Sequence, residues 1–145
     1  MNITTKITLI VSPSANRSPA IVASVVARLG EVMPFWDRSI DLIILTHPHA
    51  DHLDGLIEVL KRYDVGLVME TGVNHTIPEY DEWHKLLGAK GVEVAIAKSG
   101  QKVRFAAEAH LDVLAPFDDW RGKSPKDIHD AMVVLKLVYA STAVL

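Results

Sequence analysis

The pattern of apolar and polar residues changes from strand-like runs to helical spacing in the first half of the chain. Residues 41–46 (DLIILT) form a nearly continuous apolar run, which is typical of a strand buried on both faces. Apolar residues then recur at three- and four-residue intervals, the spacing of one helix face. They are Leu53, Leu56, Ile57 and Leu60. A buried strand followed by a helix is typical of α/β folds, so the pattern predicts that class.

Along the whole chain, the pattern predicts strands that alternate with helices first and hairpins afterwards. Strands are predicted at residues 3–11, 41–46, 65–70, 92–97, 101–105, 110–115, 131–139 and 142–145. Helices are predicted from Pro19, with Ser18 as N-cap, to about residue 33, then directly after residue 52, and at residues 79–90. Loops are predicted at residues 12–17, 71–78 and 116–128. This order favours a mixed sheet within one layered α/β domain that spans residues 1–145.

Composition narrows the class of protein. At 145 residues, the chain has room for one domain with a sizeable core. Its formal net charge is −3 without any block of Lys or Arg, so the charge predicts no broad nucleic-acid-binding surface. Cysteine is absent, which excludes disulfides and thiolate zinc sites. We see no signal peptide and no run of about 18 apolar residues, so we expect a soluble protein without a membrane segment, cytoplasmic by default.

Three histidines and one aspartate lie within six residues, directly after the predicted strand 41–46. They form the motif H-x-H-x-D-H. His47 and His49 flank one residue, so a turning backbone can aim both imidazoles at one metal ion. Asp51 and His52 are adjacent and point in different directions, which suits a second ion beside the first. Two ions about 3.5–4 Å apart can hold a bridging hydroxide and clamp a phosphoryl or acyl group. The motif follows the carboxyl end of a strand, where open α/β sheets bind ligands.

Two further histidines are candidates for the same site. His129 stands beside Asp130 just before a predicted strand, and either side chain could close the metal site. His75 lies in the loop after the strand next to the motif strand, so it is a candidate for contact with substrate or metal. The alternative for both histidines is an ordinary solvated loop position. His84 and His110 are predicted to be ordinary helix and strand positions.

With this motif, the chain resembles the metallo-β-lactamase-fold hydrolases, a family defined by H-x-H-x-D-H after a buried strand. More narrowly, it resembles the soluble metallo-β-lactamase-like domain of ComEC-type competence proteins and their stand-alone relatives. The similarity covers about residues 20–145. The stretches that carry it are residues 29–41 (LGEVMPFWDRSID), the motif itself, residues 72–80 (GVNHTIPEY) and residues 132–139 (MVVLKLVY).

The resemblance implies an αββα sandwich and metal-assisted hydrolysis by a metal-bound hydroxide. It implies two divalent ions, zinc or manganese. His47 and His49 would ligate the first ion, Asp51 and His52 the second, and Asp51 would also be the catalytic residue that orients the hydroxide. His129 stands near the place where the wider superfamily supplies a further metal-site histidine. The implied substrate is a phosphodiester. In the competence proteins, the proposed substrate is a single DNA strand during uptake, so the implied activity is that of a nuclease.

Departures from the family leave a second hypothesis open. Residues 11–14 (VSPS) stand where relatives carry Asp-Gly-Gly, and residues 129–132 (HDAM) where relatives often carry Asn-Asp-x-Ser. The Gly-Asp pair whose Asp bridges the two ions would come only after Leu145, so we expect a domain truncated at its C-terminus relative to the family. The alternative is a metal-binding but catalytically impaired domain that acts as a scaffold or binds a partner, including a second copy through its exposed last strand.

Overall fold

The computed structural model describes residues 19–145, without the side chains of residues 19–24 and 106. The predicted strand at 3–11, the loop at 12–17 and the N-cap Ser18 lie outside the described residues. The helices are α1 Pro19–Val32, α2 Ala50–Arg62 and α3 Pro78–Lys90, and a short 3₁₀ helix spans Ile128–Ala131. The strands are β1 Ser39–Ile44, β2 Asp64–Glu70, β3 Glu93–Ile96, β4 Lys102–Ala106, β5 Ala109–Ala115, β6 Val134–Tyr139 and β7 Thr142–Val144.

Within the described residues, the strands form two separate sheets. Strands β1, β2 and β3 pair in that order and are all parallel. Strands β4, β5, β6 and β7 pair in that order and are all antiparallel. Among the described strands, the expected mixed sheet is not seen, because the parallel and the antiparallel strands lie in separate sheets. The parallel and antiparallel sheets pack face to face and do not pair at their edges. The residue pattern alone does not distinguish these two arrangements.

Strand β1 lies between two hydrophobic cores, which explains its continuous apolar sequence. Ile43 and Leu45 pack with the helices on one face of the parallel sheet. Leu42 and Ile44 pack on the other face, in a core shared with Leu111 and other residues of the antiparallel sheet. The described layers are therefore helices, parallel sheet and antiparallel sheet. This order corresponds to the first three layers of the αββα sandwich that the resemblance implied, and within the described residues no second helical layer follows.

The helices begin and end close to where the sequence predicts. In α2, Arg62 pairs with Glu58 one turn earlier, with 3.2 Å between their charged groups. Helix α3 has Pro78 in its first turn and ends at Gly91, whose left-handed φ of 64° closes the helix. The strand predicted at 131–139 begins only at Val134 because the 3₁₀ helix occupies the residues before it.

Within the described residues, no helix is long and apolar enough to cross a membrane.

Candidate metal centre

The loop between β1 and α2 carries the histidine motif and is fixed at both sides. The N–H of Leu45 donates to the carbonyl of Met69 in β2 at 2.9 Å. The N–H of Val133, just before β6, donates to the carbonyl of Thr46 at 2.9 Å and joins the two sheets there. The motif is divided, because His47 and His49 lie in the loop whereas Asp51 and His52 lie in the first turn of α2.

Three histidines converge at this end of β1. His47, His49 and His129 each offer one ring nitrogen, and the three nitrogens lie within 4.8 Å of one another. The ring centroids of His47 and His49 are 4.6 Å apart, and each is 5.1 Å from that of His129. His129 comes from the 3₁₀ helix before β6, on the other sheet. Three imidazoles at this spacing are the donor set of a single zinc-like ion. We call these residues the three-histidine group.

Hydrogen bonds orient two rings of the three-histidine group. The Nδ1 atom of His129 lies 2.7 Å from the carboxylate of Asp127, so it is the donor and leaves Nε2 for a ligand role. The Nδ1 atom of His47 lies 3.1 Å from the hydroxyl of Thr46, which likewise leaves Nε2. Neither orienting residue, Thr46 or Asp127, was predicted from the sequence. The available signal was the Asp-x-His spacing, since an Asp commonly bonds the backbone N–H two residues later.

The electrostatics of the group favour the form of histidine that binds metal. Burial, together with His52, His49 and His129, lowers the pKa of His47 from 6.5 to about 4. His47 is therefore uncharged at neutral pH, and its lone pair is available. The group opens into a cavity of about 750 Å³ beside the antiparallel sheet, whose walls include the side chains of Leu111, Val133 and Leu135. These aliphatic walls lower the local polarity and strengthen electrostatic interactions at the histidines.

His52 and Asp51 lie beside the three-histidine group but are not members of it. The ring centroid of His52 is 4.4 Å from that of His47, and its side chain is buried. Within the described residues, its Nε2 atom is buried without a hydrogen-bond partner. Such an orphaned atom costs about 1–3 kcal/mol unless something satisfies it. Burial lowers the pKa of His52, and the nearby carboxylate of Asp51 partly opposes this shift. The imidazole of His52 and the carboxylate of Asp51 are suitable ligands for a second divalent ion.

The structure does not bring His75 into the histidine cavity. His75 lies in the loop between β2 and α3, where it lines a separate small groove with Lys126 and other polar residues. Its ring centroid is 6.5 Å from that of Tyr80. Its role in substrate binding remains a prediction.

The buried carboxylate of Glu70, next to α3, was also not predicted from the sequence. Glu70 accepts hydrogen bonds from the indole of Trp83 at 2.9 Å and from Tyr80 at 3.5 Å, and it pairs with the His84 ring at 2.8 Å. The hydrogen bond to Glu70 raises the pKa of His84. The His84 side chain is 44% exposed, as expected for its helix position. The prediction that His84 is an ordinary helix residue is nevertheless wrong, because it pairs with a buried acid.

The profile of the family described as the metallo-beta-lactamase superfamily matches residues 37–139, which is more than two thirds of the chain. The chain belongs to the metallo-beta-lactamase superfamily. The match includes the whole motif and His129, and it ends at the last residue of β6.

Solved structures of a larger protein are also similar to this chain. One is the crystal structure of CmlA, a diiron beta-hydroxylase from Streptomyces venezuelae, with 18% identity and a TM-score of 0.44 over 77% of this chain. A point mutant of the CmlA beta-hydroxylase gives 18% identity and a TM-score of 0.45 over the same share. This chain spans about a fifth of the length of both, as 20% of each is covered. No curated protein matches the chain significantly.

Proposed function

We propose that this domain is a metal-dependent hydrolase. The observation that carries the proposal is the three-histidine group, in which nitrogens from His47, His49 and His129 lie within 4.8 Å of one another. These residues would hold a first divalent ion, zinc or manganese, and Asp51 and His52 would hold a second. Ions bound there would supply a nucleophile from water at neutral pH and neutralise charge that develops on the substrate.

The residues around the ions have separate tasks in this proposal. Asp51, in the first turn of α2, would orient the attacking hydroxide. Thr46 and Asp127 hold the rings of His47 and His129 in place, so the two Nε2 atoms remain directed into the site. The aliphatic cavity wall lowers the local polarity, which strengthens the electrostatic interactions of the site.

A phosphodiester in single-stranded DNA is the substrate that we propose. The support is the resemblance of residues 29–41 and 72–80 to the competence-protein domain. By that resemblance, the chain would be a nuclease-like relative of the domain that acts on DNA during uptake. A phosphodiester also suits two ions, because they can stabilise both the attacking and the leaving oxygen.

The first experiment is metal content per chain, measured by elemental mass spectrometry on protein purified without chelators. We expect two ions per wild-type chain and their loss in the double variant His47→Ala, His49→Ala. The variant His110→Ala is the matched control and should keep both ions, because His110 lies near the start of β5, pairs with Lys102 and Asp112, and is not part of the three-histidine group. Metal-dependent hydrolysis of bis(p-nitrophenyl) phosphate then tests the reaction. Equal metal content in wild type and double variant would overturn the proposal.

The second candidate function is a metal-binding domain without catalysis that pairs with a partner. The observation that favours it is the exposed apolar edge strand β7, where the side chain of Val144 is 60% exposed. An exposed apolar edge strand is a template for pairing with another chain, including a second copy. This candidate predicts one ion per chain, no diester hydrolysis, and a dimer in analytical ultracentrifugation that Val144→Lys dissociates. A monomer at all concentrations would exclude pairing with a second copy.

A further inference from the structure

A polar groove lies between two loops next to the three-histidine group, outside its cavity. One wall is the loop between β2 and α3, with Asn74, His75 and Thr76. The other wall belongs to the loop that follows β5, with Ser124 and Lys126. The groove encloses about 220 Å³, enough for a phosphate group.

Two backbone hydrogen bonds tie the walls of this groove together. The N–H of Gly122 donates to the carbonyl of Gly72 at 2.9 Å, and the N–H of Asn74 donates to the carbonyl of Lys123 at 2.8 Å. Gly72 has a φ of 68°, and a Cβ there would stand 3.2 Å from the side chain of Arg121 in the facing loop. The close approach of the loops therefore depends on glycine. The groove is built into the fold and does not need a ligand to form it.

The side chains of the groove suit an anion. Amide, imidazole, hydroxyl and ammonium groups line it, and all of them can donate hydrogen bonds. None of the described residues that line it carries a carboxylate. Within the described part of the chain, Lys126 makes no ion pair, whereas Lys61 and Lys102 each pair with a carboxylate. Lysine and hydroxyl donors without a carboxylate beside them suit a phosphate.

The groove is joined to the metal centre by the chain itself. Ile128 lines the groove, and the next residue, His129, belongs to the three-histidine group. Lys126 and His129 are three residues apart, so their Cα atoms lie within about 11 Å. A ligand long enough to span this distance can occupy the groove and the metal centre together.

We propose that the groove between residues 74–76 and 124–126 binds a phosphate of the substrate other than the one that is hydrolysed. The substrate is then a strand with successive phosphates, not a small isolated ester. This inference rests on the proposed function, since it takes the three-histidine group as the place of hydrolysis. His75 and Lys126 are the residues that recognise the second phosphate.

The test uses metal-free protein, so that ions at the histidines cannot hold the phosphates. Binding of a fluorescein-labelled thymidylate octamer is measured by anisotropy over a series of salt concentrations. Lys126→Gln should weaken binding about two- to fivefold at low salt. It should also reduce the slope of log affinity against log salt by about 0.7, the value for one phosphate contact to a single strand. His75→Gln should weaken binding as well.

Lys98→Gln is the charge-matched control, because Lys98 is exposed and lies outside the groove. We expect wild-type affinity and slope for this variant. Amide NMR resonances of residues 74–76, Ser124 and Lys126 should shift on titration with the octamer. Equal weakening by Lys98→Gln and Lys126→Gln would overturn the proposal that the groove binds a phosphate, because overall charge would then explain the binding. So would the absence of octamer binding at low salt. The hydrolase proposal fails separately, through the metal count described above.

Discussion

The carboxylate of Asp127 accepts two hydrogen bonds from His129, one from the backbone N–H at 2.9 Å and one from Nδ1 at 2.7 Å. The first bond caps the 3₁₀ helix, and the second fixes the tautomer of the ring. Metal-binding histidines generally donate their second ring N–H to such a partner, which orients the ring and raises its basicity. Asp127 therefore links the local backbone geometry to the metal site.

We predict that Asp127→Ala weakens metal affinity about 10- to 100-fold, the usual effect of losing such a partner. Asp127→Asn should have a smaller effect, because its amide oxygen can still accept both bonds but carries no charge. Competition with a chromophoric chelator measures the affinities. Asp118→Asn, in the exposed part of the same loop, is the control for charge. If Asp127→Ala binds metal as tightly as Asp118→Asn, the orienting role is wrong.

His52 gives a prediction in which stability and metal binding change in opposite directions. Its Nε2 atom is buried and has no hydrogen-bond partner within the described residues. His52→Leu replaces the orphaned atom with apolar surface and should stabilise the metal-free protein by about 1 kcal/mol. The same change should reduce the metal content from two ions to one. Urea unfolding and elemental analysis measure the two effects. His84→Leu, which removes a hydrogen-bonded ring, should destabilise the protein, and a loss of stability in His52→Leu would contradict the reasoning.

Local pattern predicted most of the secondary structure but little of what surrounds the histidines. Strand β1 and helix α2 follow from periodicity within a few residues of each position. The approach of His129 to His47 depends on two sheets that pack face to face, which no local pattern encodes. The resemblance to known hydrolases pointed to His129, whereas the contact of its ring with Asp127 was found in the structure, since the Asp-x-His spacing signals only a backbone hydrogen bond.

The pairing of Glu70 with His84 was missed for a similar reason. The end of β2 was predicted as a strand, and α3 as a helix with a half-exposed histidine. Whether a glutamate at the end of a buried strand turns towards the next helix depends on the packing of that helix. The two residues are 14 positions apart, beyond the range of helix or strand periodicity. The structure also shows why a buried acid is tolerated there, since the indole of Trp83 donates to it.

Gly72 should be intolerant of substitution. An alanine there meets both an unfavourable φ of 68° and the side chains of Ile96 and Arg121, at 2.9 and 3.2 Å. We predict a loss of about 2–4 kcal/mol in the free energy of unfolding for Gly72→Ala. Gly91→Ala has a similar φ of 64° but no neighbour within 4 Å, so it should lose only about 1 kcal/mol. Urea unfolding of both variants separates the steric from the conformational cost, and equal losses would show that the contacts at Gly72 relax freely.

The Glu70–His84 pair predicts a pH dependence of stability. The hydrogen bond to Glu70 raises the pKa of His84 in the folded protein above its ordinary value of 6.5. Folding therefore favours the protonated ring, so this stabilisation is complete below the unfolded pKa and is lost as pH rises through the folded pKa. His84→Gln should remove this dependence. Because the ring is 44% exposed, solvent should reduce the effect well below that of a fully buried pair.

The measurement is the free energy of unfolding of metal-free wild type and His84→Gln over a pH series that begins below 6.5. The difference between the two proteins isolates His84, because the other titrating groups are common to both. We expect wild type to be the more stable at the acidic end, with the difference shrinking as pH rises. Glu70→Gln should remove the same trend, since it leaves Trp83 an acceptor but takes away the charge that favours the protonated ring. A difference that stays constant with pH would mean that His84 contributes packing and not charge.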